Sequence, residues 1–370
     1  MEHDYVVVGS GLFGAVFAQQ AREAGKSVLV IERRDHVGGN CWSYDCPETG
    51  INVHAYGTHI FHCSSDEIWQ YVNRFTGLNR YRHRVLTTHR DRVYSMPINL
   101  GTVNAFYGVS LRPFEVESFL ESKRENITMP RNLEEKAISL IGRDLYEAFV
   151  KGYTAKQWGC DPCELPASII NRLPVRVSYE DSYFDDRYQG IPLEGYGRMF
   201  ERMLEGIPVE LGVDFFDDRE HWMRHAKKVV YTGPLDRFFD YEHGRLSWRS
   251  VRFERTRVDI DDYQGTSVMN YADGDVPYTR IHEPKHLHPE RRSRTKGKTV
   301  VIREYSHVDD DQPYYPVNFP SDQDKLARYQ AQQSEHPNVI FGGRLAQYRY
   351  LDMHQVIGAA LRAAARELSS

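Results

Sequence analysis

Apolar and polar positions alternate along the chain in two rhythms. Tyr5-Val-Val-Val8 is a short β-branched run, Ala15 to Ala24 carries apolar residues at helical spacing, and a second apolar run spans Ser27 to Ile31. Short apolar runs beside glycines predict buried strands, and the 3.6-residue spacing between them predicts a helix packed on those strands. The helical rhythm returns near 64–75, with Ser64 or Ser65 as cap and Ile68, Trp69 and Val72 on one face. Val85 to Met96 predicts a polar hairpin closed by Pro97. From about 100 to 171 the pattern is mostly helical, in the groups Val116–Phe119–Leu120, Leu133–Ala137–Leu140–Ile141 and Leu145–Ala148–Phe149. A helix at about 197–205, a strand at Pro208–Leu211 and a strand ending at Tyr231 follow. Residues 246–305 mix β-branched and aromatic side chains with alternating charge, which predicts an antiparallel sheet with one wet face. Asn338-Val-Ile-Phe341 reads as a last strand, Gly342-Gly343 as a turn, and about Met353 to Leu368 as a closing helix.

The first forty residues carry chemistry as well as rhythm. Strand, Gly9-Ser-Gly11-Leu-Phe-Gly14, helix, strand and Glu32 stand in the order a dinucleotide-binding unit requires. Gly9 permits the tight turn, Gly11 lets the backbone approach a pyrophosphate, and Gly14 lets the helix pack on its strand. The pyrophosphate is expected at the helix N-terminus and the ribose at Glu32. Beyond the acid, Arg33-Arg-Asp-His-Val-Gly38-Gly39-Asn40 resembles the signature of FAD-binding flavoproteins. The expectation is an α/β protein: a Rossmann-like FAD-binding domain with an inserted helical domain and an antiparallel β-sheet domain. The discontinuous FAD-binding domain is expected from 1–78, 190–242 and 330–370. The helical domain with a mobile loop is expected at 98–176, and the sheet domain at 79–97, 177–189 and 243–329.

Composition narrows the class without naming a function. With 41% hydrophobic and 27% charged residues, the chain of 370 residues is neither disordered nor fibrous and needs no disulfide or metal to hold a core. No apolar run is long enough for a membrane span. The opening Met-Glu-His-Asp has no signal-peptide character, so a cytoplasmic protein is expected. A net charge of −5 argues against a nucleic-acid partner. Arginine outnumbers lysine more than threefold, and an arginine fork suits phosphate oxygens. Cys160-Asp-Pro-Cys163 lacks the context of a redox or zinc pair, and His282, His286 and His288 lack partner ligands, so no metal is expected.

Candidate chemistry clusters later in the chain. Phe149, Tyr153 and Trp158 gather at one helix end, either as core aromatics or as a stacking platform for a nucleobase. Arg172 and Arg176 flank a proline turn, suited to carrying charge onto a phosphate. Tyr183, Arg280, Tyr314, Tyr315, Arg344, Tyr350 and Asp352 add phenols and charge at loop and strand ends. No catalytic triad, zinc-protease pattern or carboxylate pair stands out. Spacing alone points to a flavoprotein acting on a polar, phosphorylated ligand.

The strings Gly57-Thr-His-Ile-Phe-His62, Tyr153-Thr-Ala-Lys-Gln-Trp-Gly159, Leu165-Pro-Ala-Ser-Ile-Ile170, Val276-Pro-Tyr-Thr-Arg280 and Gly343-Arg-Leu-Ala-Gln-Tyr-Arg-Tyr-Leu-Asp352 resemble those of bacterial UDP-galactopyranose mutases along nearly the whole chain. The resemblance implies an isomerase that interconverts UDP-galactopyranose and UDP-galactofuranose, for cell-surface glycan synthesis, with no net redox change. It implies reduced FAD, whose N5 forms a covalent adduct with the anomeric carbon, kept reduced by NAD(P)H or a flavin reductase system, and a homodimer. By the same resemblance Tyr153 and Trp158 flank the uridine with Phe149 nearby, Arg172 is a mobile-loop arginine, and Arg280 is its fixed counterpart on the diphosphate. Tyr183, Tyr314 and Tyr350 would contact diphosphate oxygens, Asn270 and His83 would line the site, Arg344 and Asp352 would lie near flavin and galactose, and His59 against the isoalloxazine. Gly9, Gly11, Gly14, Glu32, Gly39 and Asn40 complete the implied cofactor set. The alternatives are an amine-oxidase-type FAD oxidoreductase and a non-catalytic nucleotide-sugar-binding flavoprotein.

Overall fold

Strand His3–Val8 buries Val6 in one hydrophobic cluster and Tyr5 and Val7 in another, so both of its faces are covered. A strand buried on both sides belongs at the centre of a parallel sheet. That is its place in the computed structural model, which describes residues 2–172, 175–308 and 312–369, with the side chains at 171 and 172 outside the description. The five-stranded parallel sheet runs Val339–Phe341, Ala226–Tyr231, His3–Val8, Val28–Glu32, Val209–Leu211. Helices Leu12–Glu23 and Met353–Leu368 pack on one face, their buried Ala15, Ala18, Ala360 and Ala364 allowing close approach. The chain's last strand and helix thus return to the unit begun at residue 3.

The second sheet has seven strands, in the order Tyr315–Pro316, Trp248–Val258, Thr299–His307, Arg280–His282, Val268–Tyr271, Val85–His89, Arg92–Met96. All neighbours are antiparallel except Val268–Tyr271 with Val85–His89, which are parallel. The expected polar hairpin is therefore the edge of this sheet, held there because Val85, Tyr94 and Met96 bury against the helical layer. That layer comprises Leu100–Tyr107, Pro113–Glu121, Leu133–Ile141 and a continuous helical run from Arg143 to Trp158. Within the run Tyr146–Lys151 is wound as a π-helix. Helix Asp66–Asn73 starts at the Ser65 cap, whose side chain accepts from Ile68 N. Helix Pro320–Gln333, unannounced by the pattern, packs Tyr329 and Leu326 onto the cluster beneath strand Ala226–Tyr231. Among the described residues no helix is long and apolar enough to cross a membrane.

Candidate active site

Where strand His3–Val8 ends, Gly9 has φ of +97°, and a Cβ on Gly14 would collide with the Gly9 carbonyl oxygen. The tight turn and the close helix both require glycine there. No side chain caps helix Leu12–Glu23 at Gly11, so its first N–H groups open onto a cleft lined by Gly9, Gly11, Glu32, Gly39, Asn40, His59 and Arg344. Glu32 is buried and aimed: its Oε2 accepts from Ser10 N at 2.9 Å and Ser10 Oγ at 2.7 Å, and its Oε1 from Arg34 N at 3.0 Å. Acceptor capacity remains on Oε1 for a ribose hydroxyl. Arg34 lies over Tyr56 at 4.0 Å and donates from Nη2 to Asn40 Oδ1 at 2.8 Å, while its buried Nη1 has no hydrogen-bond partner. An uncapped helix start, an aimed carboxylate and an orphaned guanidinium nitrogen fit a dinucleotide cofactor.

His59 enters the cleft from the turn after strand Asn52–His54. Its backbone N–H donates to His54 Nδ1 at 3.0 Å, and its own Nδ1 lies 2.8 Å from the Gly57 carbonyl oxygen. A carbonyl only accepts, so Nδ1 carries the proton and Nε2 is left as an acceptor. Burial, reinforced by Arg344 and His282, brings its pKa down to about 4. The ring is neutral at pH 7.

The other half of the site lies on the second sheet. Asn270 pairs across the strands with Arg280, and Arg280 with Glu304, so the three side chains form a row on one face. Arg280 Nε is 3.1 Å from Glu304 Oε1, within ion-pair distance but not aligned for a hydrogen bond, and its Nη2 donates to Tyr153 OH. Burial opposes both charges. Arg280 nevertheless brings Glu304 down to about 2, helped by His282, and Glu304 in turn keeps Arg280 firmly protonated.

Tyr153 and Trp158 stand half-buried on Gly152–Trp158. Lys156 between them donates to the carbonyls of Tyr271 and Asp273 at 2.7 Å and of Tyr278 at 3.1 Å, fastening this helix to the strand and loop before Arg280. Phe149 is 4% exposed and enclosed by Tyr94, Phe106 and His89, which makes it core support for that helix rather than an open platform. Of the two adjacent tyrosines, Tyr315 is the one that stacks on Tyr350, at 5.7 Å, with the Arg344 guanidinium 4.8 Å from the Tyr350 ring. Tyr314 is buried, its carbonyl accepts from Arg344 Nη1 at 3.5 Å, and Arg34 and Tyr56 are the groups that act most on its phenol after burial. Successive side chains of an extended segment point to opposite sides, so Tyr315 rather than Tyr314 lies beside the Tyr350 ring and the Arg344 guanidinium.

His83 is buried, with Nδ1 3.1 Å from Tyr81 OH and the Tyr183 ring 5.4 Å away. Burial, then Arg280, lowers its pKa to about 3. Tyr183 is largely open to solvent. Asp352 stands at the N-cap of helix Met353–Leu368, its N–H donating to Gln355 Oε1 at 2.9 Å, while its neighbours Leu351 and Met353 line the cleft. Arg176 is engaged at the loop base by the Glu180 carbonyl at 3.3 Å, Ser182 O and Asp185. Arg172 ends the 3-10 turn Ala167–Arg172, and its side chain lies outside the described residues.

Glu304 escaped the sequence reading, and His282, read there only within a histidine cluster lacking metal partners, is instead a strand residue 2% exposed; Arg280-Ile-His282 in an alternating strand already puts arginine and histidine on one face. The three clustered histidines separate into three carboxylate pairs: His282 with Glu304, His286 with Asp262 and Glu283, His288 with Glu290. Asp262, Glu283 and His286 hold their ligand-type atoms within 4.8 Å of one another, as an ion-paired loop junction. Cys160 and Cys163 are free thiols.

Comparison with known proteins adds to this geometry. A family model described as UDP-galactopyranose mutase matches residues 148–350, and an NAD(P)-binding Rossmann-like domain matches 7–75. The chain is 43% identical to a probable UDP-galactopyranose mutase of Klebsiella pneumoniae, over 99% of this chain and 94% of that one. It is 40% identical to a dTDP-fucopyranose mutase of Escherichia coli, over 97% of each. A crystal structure of reduced UDP-galactopyranose mutase superposes with a TM-score of 0.73, at 14% identity, covering 100% of this chain and 94% of that chain.

Proposed function

Since the chain belongs to the UDP-galactopyranose mutase family, a family of isomerases, we propose that it interconverts UDP-galactopyranose and UDP-galactofuranose. The observation that carries the reading is Arg280, held charged by buried Glu304 and hydrogen-bonded to Tyr153. A guanidinium fixed in this way meets a nucleotide diphosphate without reorganising, and it stabilises the charge that grows on the diphosphate as the sugar's C–O bond breaks. Tyr153 and Trp158 present ring faces to the uracil. Asn270 and His83 contact the sugar, His83 as a neutral donor or acceptor. Tyr315, Tyr350 and Tyr183 offer hydroxyls to the diphosphate oxygens, and Arg172, whose side chain lies outside the described residues, is the second arginine assigned to the diphosphate in this reading.

The cleft at Gly9, Gly11, Glu32, Gly39 and Asn40 holds FAD in this reading, with the pyrophosphate on the helix start and the ribose on Glu32. Bound there in its reduced form, FAD would supply the nucleophilic chemistry for the anomeric carbon. The protein's part is to orient the sugar, exclude water and hold charge, a role that needs no proton-transfer triad. His59 presents Nε2 as an acceptor toward the cofactor, and Arg344 lies beside both halves. A homodimer, a cytoplasmic location and reduction by NAD(P)H or a flavin reductase complete the proposal.

The test is anaerobic incubation of the FAD-loaded protein with UDP-galactofuranose, with and without dithionite, followed by chromatography. UDP-galactopyranose is expected only under reduction. No conversion with FAD bound and reduced removes the reading. A second reading, action on dTDP-fucopyranose, is favoured by the 40% identity to that mutase. The same assay with the dTDP-fucose pair decides between them by kcat/KM.

A further inference from the structure

The stacked rings of Tyr315 and Tyr350 lie on separate segments, and both segments are moored at one buried junction. Tyr315 belongs to the strand paired with the start of Trp248–Val258, and the Val317 N–H extends that pairing by donating to the Ser247 carbonyl at 3.0 Å. Tyr350 follows Tyr348, whose hydroxyl reaches the same carbonyl at 2.7 Å and Asp322 Oδ2 at 3.0 Å. A phenol has one proton, so the two acceptors share it. The Ser247 hydroxyl closes the triangle by donating to Asp322 Oδ1 at 3.1 Å. Asp322 is fully buried in the first turn of helix Pro320–Gln333, where free N–H groups favour an anion, with Lys325 Nζ 3.4 Å away. Neither Asp322 nor Ser247 nor Tyr348 lines the cofactor cleft.

Tyr348 has φ of +46°, in the left-handed region that a bulky side chain occupies only when its surroundings hold it there. Its ring is buried and meets the Trp248 ring edge-on at 4.9 Å, and its hydroxyl also accepts from Asn318 N at 3.3 Å. The turn aims the chain back over Arg344. Arg349 N–H donates to the Arg344 carbonyl at 3.1 Å, and Arg344 Nη2 donates to the Leu351 carbonyl at 2.7 Å. Tyr350 is thereby set against both the Arg344 guanidinium and Tyr315. We propose that Asp322, Ser247 and Tyr348 are positioning residues: the buried carboxylate holds Tyr348 in its left-handed turn and so aligns Tyr350 with Tyr315 before substrate binds. The proposal rests on the reading that these two phenols contact the diphosphate. A charge-assisted bond holds the Tyr348 hydroxyl more tightly than a neutral acceptor would. A pre-aligned pair spares the substrate complex the cost of ordering two side chains.

The measurement is the KM for UDP-galactofuranose on the FAD-loaded, dithionite-reduced protein, in a double-mutant cycle. Tyr348→Phe keeps the ring and removes the hydroxyl, Asp322→Leu keeps the bulk and removes the acceptor, and each is combined with Tyr350→Phe. Alone, Tyr348→Phe and Asp322→Leu are each expected to raise KM about fivefold, the coupling typical of residues in one network. In the Tyr350→Phe background they are expected to add less than about twofold, because the phenol they align is already gone. Asp322→Asn keeps partners for both hydroxyls and is expected to stay within about twofold of wild type. A junction that merely stabilises the fold would lower the melting temperature and raise KM by the same factor in both backgrounds. That additive outcome, a wild-type KM in Tyr348→Phe, or a KM for Asp322→Asn as high as for Asp322→Leu overturns the proposal and spares the mutase reading. Absence of conversion by the wild type overturns both. If Asp322→Leu does not retain FAD, Tyr348→Phe carries the cycle.

Discussion

At the residue scale, the choice between Tyr314 and Tyr315 shows what a single position in an extended segment decides. Tyr315 faces Tyr350 and Arg344, while Tyr314 turns to Tyr56 and Arg34. A phenol that donates to a charged oxygen contributes about 1.5–3 kcal/mol, whereas one outside the substrate contributes nothing to binding. Tyr315→Phe is therefore expected to raise the KM for UDP-galactofuranose about tenfold or more, with Tyr314→Phe near wild type. Steady-state kinetics on the pair checks this, and a larger defect in Tyr314→Phe would reverse the assignment. The dipeptide was legible as chemistry and illegible as direction, because a two-tyrosine string carries no phase until its strand partner is known. Here Arg249 pairs with Tyr315 and supplies that phase. Glu304 was hidden for a related reason: nothing near it in sequence marks a partner, and Arg280 reaches it only across the sheet.

At the scale of elements, helix Gly152–Trp158 is held in place by Lys156 rather than by its own length. These residues are the last turns of the helical run from Arg143, and three carbonyls from another part of the chain converge on one ammonium there. Lys156→Met retains most of the stem and removes the donors. We expect the UDP affinity to fall about tenfold, the value of one or two lost charge-assisted bonds, with FAD absorbance unchanged. Calorimetric titration of UDP reads this directly, and wild-type affinity would mean the aromatic platform is positioned without the clamp. Elements with a strong local period were legible: the glycine-turn unit, strand Ala226–Tyr231 and helix Met353–Leu368 lie where the pattern puts them. Helix Pro320–Gln333 was not, since Pro-Ser-Asp-Gln-Asp-Lys-Leu-Ala-Arg-Tyr turns only Leu326 and Tyr329 inward among its large apolar groups. The parallel pairing of Val85–His89 with Val268–Tyr271 is also invisible locally, because contacts such as Thr88 with Asn270, 182 positions apart, leave no trace in either strand's composition.

At the scale of the whole molecule, the site is built where the two sheets meet, and the meeting ground is crowded with buried neutral histidines. His59 has a pKa of about 4 and His83 of about 3, against an ordinary 6.5, chiefly through burial. The folded protein therefore binds fewer protons than the unfolded chain below pH 6.5, and stability falls as pH drops from there. At pH 5 each of these histidines costs roughly 2 kcal/mol relative to pH 7. Glu304 acts in the same direction at lower pH: its carboxyl is depressed to about 2, so its contribution is present above the ordinary 4.5 and is lost as pH falls through that interval. His286, raised by Glu283 against its burial, opposes the trend as a single group against several. The urea midpoint of the FAD-loaded protein is thus expected to drop substantially from pH 7 to pH 5, well before Glu304 titrates. His54, His36, His288 and His354 are lowered by burial as well, and His83→Asn, which removes one histidine of this set, is expected to shrink the drop by about 2 kcal/mol. An equal drop in that variant would place the acid sensitivity elsewhere. The physical conclusion is that the junction trades acid tolerance for neutral histidines beside the Arg280–Glu304 pair, where burial strengthens the attraction between the two charges.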